Sequence, residues 1–473
     1  VALTRQLRFR LLLSAILLLG CGQAALYAHN LALVKTYRGE LIPGEAGKTD
    51  RQQIYQRGVP LAQHGTWAHY GSHASTDAPS VPGSLETLLA GAPMWLWFSP
   101  YAPIVLIQLL QLAAFLLLDN FVRRVFPGSG VRLALAIAFW LNPWRLYQNT
   151  LWNPAWLPIA SALHLLSAWM LWQKGSARFL WTALHVLAIG FAMQLHHSYV
   201  LLAGLSLYLW WRGLAKPHLG GLLCGVLLTA LSLIPWFLEG LRDPGLLLGD
   251  NCEDDSKYYL GRGLVTVAPL LKALGYWFRY SSTWFTDSLM ALTDGLALQR
   301  FAWLGPPWAA PLSWLWRAAL VLAGAATLAL SVQSNWLAFR RVRRVLFRRA
   351  PVESPQQWAL LYALGACLIL LLFAAISPIY LQFWHVAILF PAALLPLLWR
   401  CPGWAASHGR RFGGALLALA LFLSLVNWTA AQSSPQYSRS FNLQSQFQRH
   451  LADGLYEAKP RLIPKHCARR GDS

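Results

Sequence analysis

The stretch QWALLYALGACLILLLFAAI, residues 357–376, runs for twenty positions without a charged side chain. A helix of that length rises about 30 Å, the depth of a bilayer's hydrocarbon core. Comparable blocks lie to either side of it, near 11–33, 101–121, 131–149, 154–172, 178–195, 198–211, 219–238, 312–332, 383–399 and 413–431. They are continuous runs, whereas the strands of a membrane barrel alternate apolar and polar residues over about ten positions. Composition agrees. Of 473 residues, 56% are apolar and 12% charged, against roughly a quarter charged in a soluble domain; mean hydropathy is +0.41. A soluble globular enzyme and a disordered chain are both excluded. The expected fold is all-α: a polytopic membrane protein of about 11 transmembrane helices. The blocks at 154–172 and 198–211 are short and read as tilted or broken spans. No internal repeat and no low-complexity tract is visible in the sequence.

Lys and Arg total 39 against 18 Asp and Glu, a net charge of +21. In a soluble protein this would point to nucleic acid. Here the bases cluster between apolar blocks, the pattern that keeps loops cytoplasmic, so no nucleic-acid partner is expected. Arg5, Arg8 and Arg10 precede the first block and hold the N-terminus in the cytoplasm. That block runs through Leu18-Leu19-Gly20-Cys21 and Gly22-Gln23-Ala24, which resemble cleavage sites, and continues beyond both; it reads as an uncleaved helix. With odd-numbered spans running outward, the cytoplasmic segments also hold Arg123, Arg124, Arg132, Lys174, Arg178, Arg212, Lys216, Arg340, Arg341, Arg343, Arg344, Arg348, Arg349, Arg400, Arg410 and Arg411, with only Asp119 and Glu353 among the acids. The expectation is a multi-pass plasma-membrane protein; short loops point to a bacterial inner membrane. Residues 1–431 form the membrane domain, with outer loops at about 34–100 and 239–311. Residues 432–473 form a non-cytoplasmic, periplasmic tail.

The outer loops contain apolar stretches too short to cross, at 85–98 and 264–285. In the second, Leu264, Val267, Leu270, Leu271, Leu274 and Phe278 recur at helical spacing. Both read as helices lying in the outer interface, facing membrane lipids. Within the spans, Asp119 stands four residues before Arg123, a helical ion-pair spacing. His164 and His185 read as separate hydrogen-bonded interior histidines, and Gln108 and Gln111 share a helix face that joins neighbouring helices. The 25 Trp include Trp140, Trp144, Trp152, Trp156 and Trp384 near span ends, as an aromatic belt requires; an indole there also suits the C–H face of a sugar. Asp250, Glu253, Asp254 and Asp255 would offer oxygens to a divalent cation, although no cofactor is required and no residue is assigned as a metal ligand. Of six cysteines, only Cys252 and Cys467 fall in the proposed outer compartment, where disulfides persist. They are expected to pair.

The first outer loop reads Asp50-Arg51-Gln52-Gln53-Ile54-Tyr55-Gln56-Arg57-Gly58, then Leu61, Gly65 and Trp67. It resembles the segment after the first span in the GT-C membrane glycosyltransferases, the superfamily of protein O-mannosyltransferases and the aminoarabinose transferase of lipid A. The pattern there is an acidic pair, an aromatic residue four or five positions on, and a Gly-x-Trp-like close; here Arg51 replaces the second acid. Pro82-Gly83-Ser84-Leu85, Phe98-Ser99-Pro100, Asn142-Pro143-Trp144, Leu151-Trp152-Asn153-Pro154, Gln194-Leu195-His196, and Ser377-Pro378 with His385 and Phe390-Pro391 follow in the family's order. The resemblance covers about 1–431.

It implies a GT-C-like bundle with interfacial helices on the outer face. It also implies transfer of a sugar from a polyprenyl-phosphate-linked donor to a hydroxyl of a glycan, lipid or protein acceptor. Such an acceptor loses a proton as it attacks the anomeric carbon, so one carboxylate serves as general base. The departing lipid phosphate needs cations and donors. A single displacement inverts the anomeric centre, whereas retention normally needs a second, nucleophilic carboxylate. Asp50 is the first candidate for the base and Asp77 the second; Asp50 also suits a helix N-cap. For the phosphate and substrate the candidates are Arg279 with Tyr280, His385, His196, Arg145 and Tyr55. Arg279 also suits a snorkelling role, and His197 suits a polar turn. Two other readings remain: a polymerase or ligase of lipid-linked polysaccharide, whose Arg/His-rich loop usually comes late in the chain, and a transporter or flippase, which usually shows midplane charges and repeats.

Overall fold

The computed structural model describes residues 2–31, 36–37, 40–41, 50–72, 80–147, 150–173, 175–244, 267–283, 304–348, 350–377, 381–433 and 442–456. In chain order its helices are α1 (Ala2–Asn30), α2 (Asp50–His64), α3 (Leu85–Leu96), α4 (Tyr101–Val125), α5 (Ser129–Leu135, running into a π-turn at Ala136–Trp140), α6 (Pro143–Tyr147), α7 (Leu157–Trp172), α8 (Arg178–Met193), α9 (Tyr199–Trp211), α10 (Leu219–Arg242), α11 (Val267–Tyr280), α12 (Ala309–Arg348), α13 (Pro355–Ile376), α14 (Phe383–Val386), α15 (Phe390–Ser433) and α16 (Leu443–Ala452). Among the described residues the only sheet is a two-residue antiparallel pair, Thr36–Tyr37 with Glu40–Leu41.

The chain is a multi-pass membrane protein of all-α architecture. Among the described residues seven helices are long and apolar enough to cross a bilayer, and Ser129–Trp140, Arg178–Met193 and Tyr199–Trp211 are shorter apolar helices. The apolar element Phe383–Ala431 covers two of the expected spans; it bends at Gly409 (φ 37, ψ −102). Element ends follow local chemistry. The Ser354 side chain accepts from the Gln357 amide and Pro355 opens α13, as N-cap and N1 preferences dictate. That helix stops at Ser377, which is extended (ψ 129) because it precedes Pro378.

Inside the bundle, helices far apart in sequence are joined by polar side chains. Gln23 donates to the Ser424 carbonyl (3.2 Å), and Asn427 donates to Gln23 Oε1 (3.0 Å) and the Leu141 carbonyl (2.9 Å). The expected Asp119–Arg123 pair does not form. The turn after α4 brings Arg132 of α5 beside Asp119 at 2.6 Å, while Arg123 and Arg124 both donate to Asn120. The two interior histidines do not stand apart either. The His164 and His185 rings lie 4.1 Å apart and share the Ser206 hydroxyl, with Tyr362 and Ser167 on their other nitrogens.

Helices α2 and α3 cross so closely that a Cβ on Gly91 would meet the Gly58 carbonyl oxygen at 2.7 Å and Leu61 at 2.8 Å. Overpacking of this kind typically costs about 1–3 kcal/mol. Gly91→Val is therefore expected to lower the thermal unfolding midpoint in detergent by several degrees. Gly403→Ala, where nothing lies within 4 Å of the added atom, should leave the midpoint unchanged in the same assay.

Candidate functional site

Four of the candidate residues, His196, His385, Arg279 and Tyr280, lie at the end of the bundle where α8 turns into α9. The His196 and His385 rings lie 5.6 Å apart, contributed by that turn and by α14. Each ring is oriented through Nδ1. His385 Nδ1 accepts from the Gln382 amide (2.9 Å), closing a capping box at the start of α14. His196 Nδ1 accepts from the Ser198 amide (3.2 Å) and lies 2.8 Å from its hydroxyl. A neutral ring accepting at Nδ1 carries its proton on Nε2, so both imidazoles are donors there. Burial, then the charges of His385 and His197, hold the His196 value well below the ordinary imidazole range. His197 is lowered by burial as well, and its Nε2 is buried without a hydrogen-bond partner among the described residues.

Helix α11 brings two cations to this end. Lys272 donates to Gln382 Oε1 (3.4 Å) and lies 5.8 Å from the Tyr276 ring. Arg279, two turns on, lies 5.6 Å from the same ring. The helix is pinned from beneath: Trp277 donates to Asn335 (3.0 Å) and Tyr280 donates to the Phe383 carbonyl (2.8 Å). Tyr280 is thus buried, its ring against Trp144 (5.3 Å) and Phe390 (5.4 Å). Beside His385 stand Trp384 (5.7 Å) and, in edge contact with Trp384, Trp152 (5.9 Å); both indoles are only partly buried.

The first outer region meets this cluster at Gly83. Its φ is +91, and an added Cβ would meet Gln194 Oε1 at 2.4 Å, so the segment entering α3 lies against the residue two positions before His196. One turn on, Glu86 is 1% exposed. Its Oε2 accepts from Arg57 (2.6 Å) and from the Ser72 amide and hydroxyl (2.9 Å each). Glu86 Oε1 is buried without a partner among the described residues. The sequence reading missed Glu86 and Lys272. Each carried a signal: it is the single acid, or the single lysine, of an otherwise apolar interfacial stretch.

Asp50 is the first residue of α2, about 10 Å of helix from Arg57; its side chain lies outside the described residues. Asp77, the acidic run 250–255, Cys252 and Cys467 also lie outside them. Tyr55 and Arg145 are not part of the cluster. Tyr55 is fully buried, donates to the Pro100 carbonyl (2.7 Å) and packs edge-on against Phe447 of α16 (5.4 Å). Arg145 is 1% exposed. It donates to the carbonyls of Trp140 and Gly20 and to Gln108 (3.0 Å) and Gln111 (3.2 Å). Both side chains hold helices together. Among the described residues no three His, Cys, Asp or Glu gather as a metal site.

Against solved structures, the chain resembles ArnT from Cupriavidus metallidurans in the apo state, with TM-score 0.51 and 14% identity over 93% of this chain and 78% of that one. The fold is GT-C-like. The same protein bound to undecaprenyl phosphate gives TM-score 0.47 and 15% identity over 86% of this chain; the oligosaccharyltransferase of Archaeoglobus fulgidus gives 0.43 and 14% over 94%. The chain spans 62% and 58% of the length of those two. No protein-family model matches it, and no curated protein sequence does. The fold assignment rests on the apo ArnT structure.

Two outcomes follow from the geometry. Arg57→Met strands the Glu86 carboxylate in the interior and is expected to cost about 3 kcal/mol or more. Replacing both partners, Arg57→Met with Glu86→Leu, should recover most of that loss, as read from denaturant unfolding in detergent. For His196 the folded value lies below the unfolded one, so as the pH falls the unfolded chain takes up its proton first. Stability is full above about 6.5 and declines as the pH drops below it. Melting curves between pH 8 and 5 should show that decline, with a shallower slope in His196→Asn.

Proposed function

We propose that the chain is a glycosyltransferase that moves a sugar from a polyprenyl-phosphate-linked donor to an acceptor hydroxyl on the outer face of the membrane. The reading is supported by one observation above all: two imidazoles and a lysine, His196, His385 and Lys272, converge where the segment leading into α3 packs. ArnT has been crystallised with undecaprenyl phosphate. For this chain a carrier of that chemistry is proposed on the strength of its own residues.

In this reading Asp50 takes the proton of the acceptor hydroxyl as its oxygen attacks the anomeric carbon. The bond to the carrier phosphate breaks in the same step, which inverts the centre. His196 and His385 donate to the leaving phosphate, and Lys272 and Arg279 offset its charge. Asp77 is the second candidate for the base. Trp152 and Trp384 present ring faces on which a sugar can lie. The Arg57–Glu86 pair fixes α2, and with it the start of the helix at Asp50, against α3.

The test begins with mass spectrometry of cell-envelope glycans and lipids with and without the gene, which should reveal one missing sugar increment and so the substrate. In purified protein, Asp50→Asn should then lower transfer about 100-fold or more while carrier binding is unchanged. Transfer that survives in Asp50→Asn and is lost in Asp77→Asn would move the base to Asp77. An envelope unchanged by loss of the gene would overturn the reading.

A further inference from the structure

A second cationic surface lies at the opposite end of the bundle, where α7, α9 and α12 finish. On the last turns of α12, Ala338, Val342 and Val345 face the interior, spaced by four and three residues as a packed helical stripe requires. Arg340, Arg341, Arg343 and Arg344 fan out over the remaining surface, all exposed. They meet no acidic side chain among the described residues. In sequence the run continues to Arg348 and Arg349, and residues 331–352 contain no Asp or Glu; Glu353 follows.

Beneath this end a cavity of about 190 Å³ opens, lined by Trp172, Trp211, Arg212, Val345 and Val352 among others. Arg212 ties α9 to α12 by donating to the Val345 and Leu346 carbonyls (2.5 Å each), groups that a helix end leaves unpaired. Its guanidinium lies 5.8 Å from the Trp211 ring, and Trp211 is 64% exposed. Two indoles and Arg212 at one cavity, next to the arginine-bearing turns of α12, suit a headgroup layer.

The length of α12 carries this end past the hydrocarbon core. Helix α12 has 40 residues, about 60 Å, against a hydrocarbon core of about 30 Å. Its Gln333 already accepts from Arg400 of α15 (2.6 Å). The four arginines follow roughly 10–16 Å beyond that polar contact. An uncompensated cluster of arginines beside a membrane-spanning segment attracts anionic lipid headgroups.

We propose that the arginine-bearing end of α12 and the cavity below it bind the phosphodiester headgroup of an anionic phospholipid, of the phosphatidylglycerol or cardiolipin class, from the leaflet opposite the candidate catalytic face. The site is independent of the glycosyltransferase reading and is tested without an activity assay. The full-length protein is purified in a neutral detergent and titrated with phosphatidylglycerol, phosphatidylcholine or inorganic phosphate. Thermal unfolding and native mass spectrometry are the readouts. Phosphatidylglycerol should raise the midpoint and remain bound, and the other two probes should do neither. The quadruple variant R340Q/R341Q/R343Q/R344Q should bind it at least tenfold more weakly, and the quadruple Arg→Lys variant should bind within a few-fold of the native protein. If the Gln variant fails to fold, the native protein supplies the measurement: raising NaCl from 50 to 500 mM should weaken binding severalfold. Equal affinity in the Gln variant, binding indifferent to salt, equal stabilisation by phosphatidylcholine, or the same effect from inorganic phosphate would each overturn the proposal.

Discussion

Arg145 carries its charge wholly inside the bundle and, among the described residues, donates only to neutral oxygens there. One nitrogen donates to the π-turn that ends at Trp140, one to both Gln108 and Gln111 of α4, and one to the Gly20 carbonyl of α1. The guanidinium also stacks over the Trp140 indole at 4.1 Å. A buried cation without an anion is tolerated only where its hydrogen bonds are met by the protein. The three segments are therefore bound to one relative position, because moving any of them would leave a charged donor unpaired in an apolar medium. In a bilayer, burial of apolar surface gives little preference among helix pairings, since lipid tails are as apolar as leucine. Polar contacts and close packing have to choose. The Gln23–Asn427 contact between α1 and α15 and the His164–His185 network among α7, α8, α9 and α13 extend the same logic across the bundle.

That fixed frame is what allows the candidate site to gather residues from five segments. The α8–α9 turn brings His196 and His197, α14 brings His385, α11 brings Lys272 and Arg279, and the α3 entry brings Gly83 and Glu86. Trp152 and Trp384 stand between them. None of these segments would hold its place alone. Helix α11, for example, keeps its cations at this end because Trp277 and Tyr280 on its other side are hydrogen-bonded into α12 and α14. The tail contributes from a distance. Helix α16, capped by Asn442, lays Phe447 against both Tyr55 and Phe98, and Leu455 accepts from Gln56. The end of the chain thus braces α2, whose first residue is Asp50.

The helical membrane architecture was legible in the sequence because long uncharged runs have no other stable use. The amphipathic spacing at 264–285 likewise announced α11 as a helix, but not the side it buries: Pro269, Ala273, Tyr276, Trp277 and Tyr280 face the bundle, while Val267 and Leu271 of the expected apolar stripe are exposed. His196 and His385 were singled out by the motifs of the family resemblance, Gln194-Leu195-His196 and Ser377-Pro378 with His385. Partners were not legible. Asp119 was matched to the arginine at helical distance, yet a turn delivers Arg132 with better geometry, and nothing local encodes that choice. Arg145 had the position of an outer span end and the composition of a phosphate ligand. Only the packing shows that α1 and α4 close over it. Tyr55 fails for the same reason, since its motif position says nothing of the C-terminal helix that lies against it.

The two ends of the bundle use different cation chemistry, and the difference bears on what each can do. Arginine is always charged and presents a rigid fork of donors; a surface of four suits a ligand that is held. The candidate site adds to Lys272 and Arg279 of α11 two imidazoles whose Nδ1 atoms are already engaged. A neutral Nε2–H stabilises charge that develops as a phosphate leaves, yet binds the departed product less tightly than a guanidinium would. Under the proposed chemistry that balance matters, because the spent carrier has to exit into the membrane before another donor enters. A site built from arginines at the same positions would be expected to bind the carrier better and release it more slowly.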